Sequence, residues 1–499
     1  MTTTTNDRGL VDTSWVSEHD WKLVIGGELK DAQSGRTFST MSPVTEAEIC
    51  QLPDGGADDV AAAVEVGRAA SAEWAKVPPR ERARIVRGLA DIARDHKEEL
   101  AMLDAIDVGN AYTPMVQDVL IGADSIEFMA DAALYLAGET YNDMSSHLHY
   151  TRREPFGVVA RIVAFNHPLM FALQKIAAPL VAGNAVILKP SDFSSLSALW
   201  MGKLFSEALP KGLLSVLTGK GADLPRAIVA HPDIRRIGFI GSEMTGRAIQ
   251  RDAADVAVKE VSLELGGKNA IIVTRDVDVK AAARGVVRGM NFIGWQSQSC
   301  SSTSRLYAHE DIADELLDEM VKVIAEIRIG NPLHPETQMG TLANQAQFDK
   351  TLHYIAAAKE DGARLVTGGE RPSSLQDEKG LYIQPTVFDG VPADARIARE
   401  EVFGPVLSAF RWSDEAEVVR LANSVRYGLT GAIWSNDIST AHRIAHQLET
   451  GYVWINDAAA HFTGVPFGGY KGSGIGKEES VEELLSYSQV KTINLKLEP

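Results

Sequence analysis

Cysteine is almost absent from this chain. Among 499 residues only Cys50 and Cys300 carry thiols. Two thiols build no disulfide framework, so a reducing, cytoplasmic compartment is expected. A chain this long buries a large core without such staples. Positive charge is also short: Lys and Arg number 49 against 67 Asp and Glu, a formal net charge of −18. Phosphate backbones and anionic bilayers call for a basic footprint, so neither nucleic acid nor membrane is an expected partner. No long apolar run exists. The nearest, residues 176–188, is interrupted by Gly183 and Asn184 and falls short of the ~20 residues a bilayer span needs. The start, MTTTTNDRGL, lacks a charged region followed by an apolar one, so no signal peptide is expected. Neither CxxC nor HExxH occurs, so no metal is expected. The GxSxG elbow is absent as a strand-turn-helix element. The Gly-rich PFGGYKGSGIGKE lacks the P-loop order.

What remains is ordinary globular material, with 45% hydrophobic and 23% charged residues. Its length suggests roughly two to four domains. Residues 1–18 are polar and read as loose. Residues 58–108 are helical in pattern, with Ile85, Leu89 and Ile92 on one face and a helix start at Pro78-Pro79. Residues 145–153 read as a polar strand, part of a projecting hairpin. From 157 to 263 short apolar strands alternate with helices, which implies a parallel, doubly wound sheet. Residues 484–497 alternate and read as a terminal strand at an interface edge.

In such a sheet ligands bind beyond the carboxyl ends of the strands. Four strand ends carry candidates: Asn166, Lys189, Gly241-Ser242 and Glu264. Cys300 lies in the polar GWQSQSCSSTSR. A thiol there is a candidate nucleophile, and a helix start would favour its thiolate. An inert buried cysteine is the alternative. Glu264, in LELGG, can act as a base towards water or be a solvated strand-end carboxylate. Asn166, in AFNHP, can donate to an oxyanion or be a turn residue. Gly241-Ser242 can set free N–H groups against a phosphate or be a plain turn. Lys189 and Asp192 can meet ribose hydroxyls or form a surface turn.

Taken in order, EPFGVVARIVAFNHPL, AGNAVILKPSD, GFIGSEMTG, LELGGKNA, SQSC, EEVFGPV, NSVRYGLTG and PFGGYKGSGIGKE resemble the aldehyde dehydrogenase superfamily. The match runs from about residue 20 to the end. The resemblance implies a Rossmann-like doubly wound cofactor domain over 20–138 and 156–264 and an α/β catalytic domain over 265–476. It also implies a small β oligomerisation element from 139–155 and 477–499, and assembly as a homodimer or homotetramer. It implies that Cys300 attacks a small-molecule aldehyde, that Asn166 holds the oxyanion, and that Glu264 activates water on the resulting thioester. Lys189 and Asp192 would meet the adenosine ribose, Gly241 and Ser242 the pyrophosphate, and Glu401, Phe403 and Phe165 the remainder of the cofactor. A carboxylate at Asp192 would repel a 2′-phosphate, which favours NAD. Asp is shorter than the family's usual Glu, and Ser191, Ser194 and Ser195 lie close, which leaves room for NADP.

Two departures stand out. His167 follows Asn166 where the family has an aromatic residue. Ser297 stands where Gly is common, and would narrow the pocket. His167, Phe171, Gln174, Trp295, Ser299, Ser301, His461 and Phe467 would line the substrate tunnel, which suits a medium-sized, possible aromatic aldehyde. Members that pass the acyl group to coenzyme A typically lack the Glu264 equivalent, so free acid is the expected product. Coenzyme A acylation, esterase activity and a catalytically silent relative remain the competing readings.

Overall fold

The computed structural model describes residues 10–141 and 146–497. Residues 1–9 and Ser145, included in the loose start and in the polar strand above, lie outside the described residues. Three main sheets organise the chain. The first has eight strands in the order Glu28–Lys30, Leu23–Ile25, Leu214–Val216, Ala185–Lys189, Val158–Ile162, Ile234–Ile240, Glu260–Glu264, Gly474–Ile475. The middle five are parallel. Val158–Ile162 and Ala185–Lys189 are buried along their whole length. Strands covered on both faces read as continuous apolar runs, as these do. The chain leaves Val158–Ile162 for one neighbour and returns later to the other. This reversal opens a crevice at the carboxyl ends.

The helix Pro168–Ala182 packs against this sheet. It is apolar nearly all round and buried at every position except Met170, the mark of a core helix. Proline at its first position suits the missing N–H. It stops at Gly183, whose φ of 103° is left-handed. Asn184 then accepts from the Phe156 and Gly157 N–H groups, tying the helix end to the central strand.

A second, seven-stranded sheet runs Arg364–Thr367, Thr386–Asp389, Val406–Trp412, Arg305–His309, Ala270–Val273, Thr430–Trp434, Tyr452–Ile455. Its first strand alone is antiparallel. A third sheet pairs Ser488–Lys496 with His147–Pro155, and that strand with Thr140–Tyr141. The expected hairpin region is therefore joined by the chain's last strand. Val490 and Leu495 on it are exposed. Among the described residues no helix is long and apolar enough to cross a membrane.

Two expectations need correction. The stretch 10–18 is not loose: Ser14–Glu18 is a helix, and Val11 and Val16 are buried. Trp15 supplies the reason, since it packs on Trp21 and Trp200. The terminal strand starts later than 484, because Val481–Ser486 is helical and buries Leu484.

One cluster of charges is buried in the first sheet. Arg161, on the central strand, is fully buried and donates to Glu478 at 2.7 Å and to the Tyr487 hydroxyl. Lys175 lies 2.8 Å from the other Glu478 oxygen. Glu483 stands 3.8 Å from both cations. Burying ions costs several kcal/mol each, so removing one partner is far worse than never having the set. Arg161→Met is expected to destabilise the protein by about 3–5 kcal/mol, read as a lower denaturant midpoint. A change under about 1 kcal/mol would show that the cluster does not hold the C-terminal segment.

Candidate active site

A cleft of about 940 Å³ opens at the carboxyl ends of the first sheet. Phe165, Asn166, Lys189, Asp192, Gly241, Ser242, Glu264, Cys300, Glu401 and Phe403 all line it. Residues up to 238 positions apart in sequence, Phe165 and Phe403, stand edge to face at 5.8 Å.

The outer part of the cleft is polar. Ser242 caps the helix Glu243–Ala254 by accepting from the Thr245 N–H. A helix start presents free N–H groups and positive potential to an anion. Lys189 is buried at the end of its strand, and burial pulls its proton affinity down against the pull of Asp192. Asp192 accepts from the Gly221 N–H at 3.1 Å. Among the described residues the Lys189 ammonium has no hydrogen-bond partner, so a cation, a carboxylate and a helix start are all available to a ligand.

The inner part holds the reactive groups. Glu264 ends its strand and is buried, with neither carboxylate oxygen hydrogen-bonded. Burial, and then the Glu478 charge, push its carboxyl well above the ordinary range. Cys300 is half-buried in a turn. The Ser- and Gln-rich stretch forms a turn, as its composition suggests, and no helix starts at the thiol: the short segment Phe292–Trp295 before it has non-helical backbone at Ile293 and Gly294, and no helix directly follows it. Burial, Glu264, Glu401 and Glu479 push the thiol up, while its own N–H works the other way. The resting sulfur is thus a thiol, not a thiolate. Asn110 donates to the Asn166 backbone carbonyl at 2.9 Å, and Asn166 itself lines the cleft.

Residues that the sequence reading missed hold these groups in place. Asn269 donates to the Cys300 carbonyl at 2.7 Å and to that of Ser302 at 3.0 Å. Ser473 donates to the Gly266 carbonyl at 2.7 Å, and the Leu265 N–H pairs with the Ser473 carbonyl. Glu401 accepts from the Gly267 N–H at 2.9 Å. A Cβ at Gly266 would come within 2.1 Å of Glu401, so the close approach requires glycine. Gln347 donates to the Val402 and Phe403 carbonyls and fixes Phe403, whose φ is 57°. Lys268 is buried with its ammonium unpartnered, and burial with neighbouring Arg305 brings it down to about 7. Asn269 and Lys268 lie in the LELGGKNA segment itself, which was the available signal.

The tunnel candidates fall into separate groups. His167 packs on Phe171 and Trp295. Gln174 donates to Ser125 at 3.1 Å. Ser299 and Ser301 hydrogen-bond each other at 3.1 Å. His461 packs on Phe467 at 4.7 Å and pairs with Glu479 at 3.2 Å.

Comparison with known proteins agrees with this geometry. Residues 29–493 match the model of the aldehyde dehydrogenase family. An aldehyde dehydrogenase of Talaromyces stipitatus, TropH, is 43% identical over 486 residues, 96% of this chain and 93% of that protein. The indole-3-acetaldehyde dehydrogenase of P. syringae, solved with NAD+ and IAA, superposes with a TM-score of 0.93 at 36% identity, covering 96% of this chain and 97% of that one. The NAD+ complex of a Bacillus cereus aldehyde dehydrogenase gives 0.94 at 35% identity, covering 100% of both chains. The chain belongs to the aldehyde dehydrogenase family.

Ser297 acts differently from the expected narrowing. It does not line the cleft. Its φ is 58°, its side chain is buried, and its hydroxyl has no partner. A left-handed non-glycine residue costs roughly 1–2 kcal/mol, and glycine's greater chain entropy returns part of that. Ser297→Gly should stabilise the protein by about 1 kcal/mol, seen as a higher unfolding temperature. A lower one would show that the turn is not strained.

Proposed function

We propose that this chain oxidises an aldehyde to the free carboxylic acid through a thioester on Cys300, with NAD as the oxidant. The carrying observation is the convergence of Cys300, Glu264 and Asn166 at the inner end of a single cleft. The unspent groups of the outer cleft fit a dinucleotide. Lys189 and Asp192 would hold the adenosine ribose, Gly241 and Ser242 the pyrophosphate, and Phe165, Glu401 and Phe403 the inner part. Bound there, NAD would supply a hydride acceptor, and loss of hydride from the Cys300 adduct leaves the thioester.

The chain's own residues do the rest. The Cys300 thiol loses its proton to solvent in the cleft, and the sulfur bonds to the carbonyl carbon. The Asn166 amide and the Cys300 N–H donate to the oxygen as it gains charge. Glu264 then takes a proton from water, the hydroxyl attacks the thioester, and the C–S bond breaks to release acid and thiolate. Both Glu264 oxygens are free of protein partners, which favours a water-directed base over acyl transfer to coenzyme A. Intact Cys300, Glu264 and Asn166 argue against a silent relative.

We assign the cofactor role to 20–138 with 156–264, the catalytic role to 265–476, and assembly as a dimer or tetramer to 139–155 with 477–499. The paired strands His147–Pro155 and Ser488–Lys496, with their exposed apolar residues, support the last of these.

Cys300→Ala is expected to abolish NADH formation, and residual turnover would refute the covalent route. Glu264→Gln should give a burst of about one NADH per site and then slow by roughly 10²–10⁴-fold; steady turnover near the parent rate would refute its role. Glu264 works only when ionised, and burial holds its proton in place. Hydrolysis should therefore speed up with rising pH over a range well above that of an ordinary carboxylate, and a pH-independent single-turnover hydrolysis rate would count against it. Asp192→Ser should raise the NADP to NAD activity ratio, and an unchanged ratio would move Asp192 away from the 2′ position.

A further inference from the structure

His167 is held in a way that a mere tunnel wall does not need. Its Nδ1 lies 2.9 Å from Asp118 Oδ2. The Trp295 indole N–H donates to the same oxygen at 3.2 Å. Asp118 is 1% exposed, so the anchor is a buried carboxylate locked between two rings. A carboxylate accepts, so Nδ1 carries a proton, and with that proton alone on the ring Nε2 is an acceptor. Among the described residues Nε2 has no hydrogen-bond partner, and the side chain keeps 12% exposure. It therefore presents a free acceptor. Two tilted aromatic rings flank the imidazole: Trp295 lies 5.0 Å away at 37°, and Phe171 lies 5.4 Å away at 57°.

This group is joined to the reacting centre through the chain, although His167 itself is not among the residues lining the cleft. His167 follows Asn166 directly, and Asn166 shares its cleft with Cys300. A second aromatic group approaches from another segment. His461 packs on Phe467. Burial lowers its proton affinity, but Glu479 and, further off, Asp118 raise it overall, so the two groups sit within electrostatic reach of each other. Glu479 also acts on the Cys300 thiol. Aromatic neighbours suit a planar substrate, and an oriented acceptor suits one with a hydrogen-bond donor.

We propose that His167 is a specificity-determining residue that accepts a hydrogen bond from a hydroxyl on an aromatic aldehyde, with Asp118 as its positioning residue. The inference rests on the aldehyde-oxidising reading given above. An unpaired acceptor discriminates against substrates that lack the donor. For a partly exposed imidazole the effect is about tenfold.

The test uses the full chain with NAD. The substrates are hexanal, benzaldehyde, the ortho, meta and para hydroxybenzaldehydes, their methyl ethers and para-carboxybenzaldehyde. One hydroxy isomer is expected to exceed both benzaldehyde and its own methyl ether about tenfold in kcat/KM, with the advantage in KM. The ether keeps the oxygen and loses only the donor. His167→Phe should collapse this ratio, and His167→Gln, which keeps a hydrogen-bonding end, should retain part of it. Asp118→Asn should raise KM for the hydroxy substrate more than it lowers kcat. Melting curves report whether each variant folds, and the methyl-ether comparison on the parent enzyme needs no variant. Equal rates for hydroxy and methoxy substrates would overturn the proposal. So would a ratio that survives His167→Phe, or a preference for the carboxylated aldehyde, which would make the ring a cation. If hexanal and benzaldehyde are oxidised without any hydroxy preference, only this proposal falls. If no aldehyde is oxidised, the reading it rests on falls too.

Discussion

The pairing of Arg161 with Glu478 constrains the rest of the molecule. Arg161 stands on the central strand of the first sheet, where a charge without a partner would be intolerable. Burial disfavours the Glu478 anion, yet Arg161 and Lys175 outweigh it and hold Glu478 down to about 2. The ion pair therefore persists across any physiological pH. It pins the segment that also supplies the edge strand Gly474–Ile475, and that strand pairs with Glu264 itself. Position and electrostatics are thus coupled. The Glu478 charge that neutralises Arg161 is the second-largest influence raising the carboxyl of Glu264. A core interaction that fixes the chain's end also sets the resting protonation of the group proposed to activate water.

Cys300, the proposed nucleophile, is fixed by a different means. Asn291, Gln296 and Ser297 all adopt left-handed φ angles within ten residues of Cys300. Such backbone persists only where its surroundings over-determine it. Here Gln296 donates to the carbonyls of Gly109 and Thr341, and Asn269 holds the carbonyl of Cys300. The strained turn is held from Gly109, Asn269 and Thr341, three segments distant in sequence, so no local preference could define it.

Much of this was legible in the sequence, because strand ends follow from local pattern. The alternation over 157–263 located the carboxyl ends, and the residues at those ends do share one cleft. Partners distant in sequence were not legible. Asp118 sits 49 positions from His167 on the helix Tyr112–Asp131, and nothing in helical periodicity singles out a buried acid. Arg161 met Glu478 over 317 positions. The turn at Cys300 was legible in its Ser- and Gln-rich stretch, because such side chains compete with helical hydrogen bonding, but the distant contacts of Asn269 and Gln296 that fix its shape were not.

The resting chemistry of Cys300 follows from the same crowding of carboxylates. A helix start would have lowered its proton affinity; burial beside Glu264, Glu401 and Glu479 raises it instead. Nucleophilicity and vulnerability to oxidation both track the thiolate. A cysteine kept as the thiol is therefore slow to react with adventitious oxidants in the open cleft. Its nucleophilic form has to be produced when substrate is present. Glu264, the proposed base towards water, has its own proton held by burial and by Glu478, and a raised proton affinity makes its carboxylate the stronger base once ionised. The raised affinities of the thiol and of the carboxylate share two causes: burial, and acidic groups brought close together.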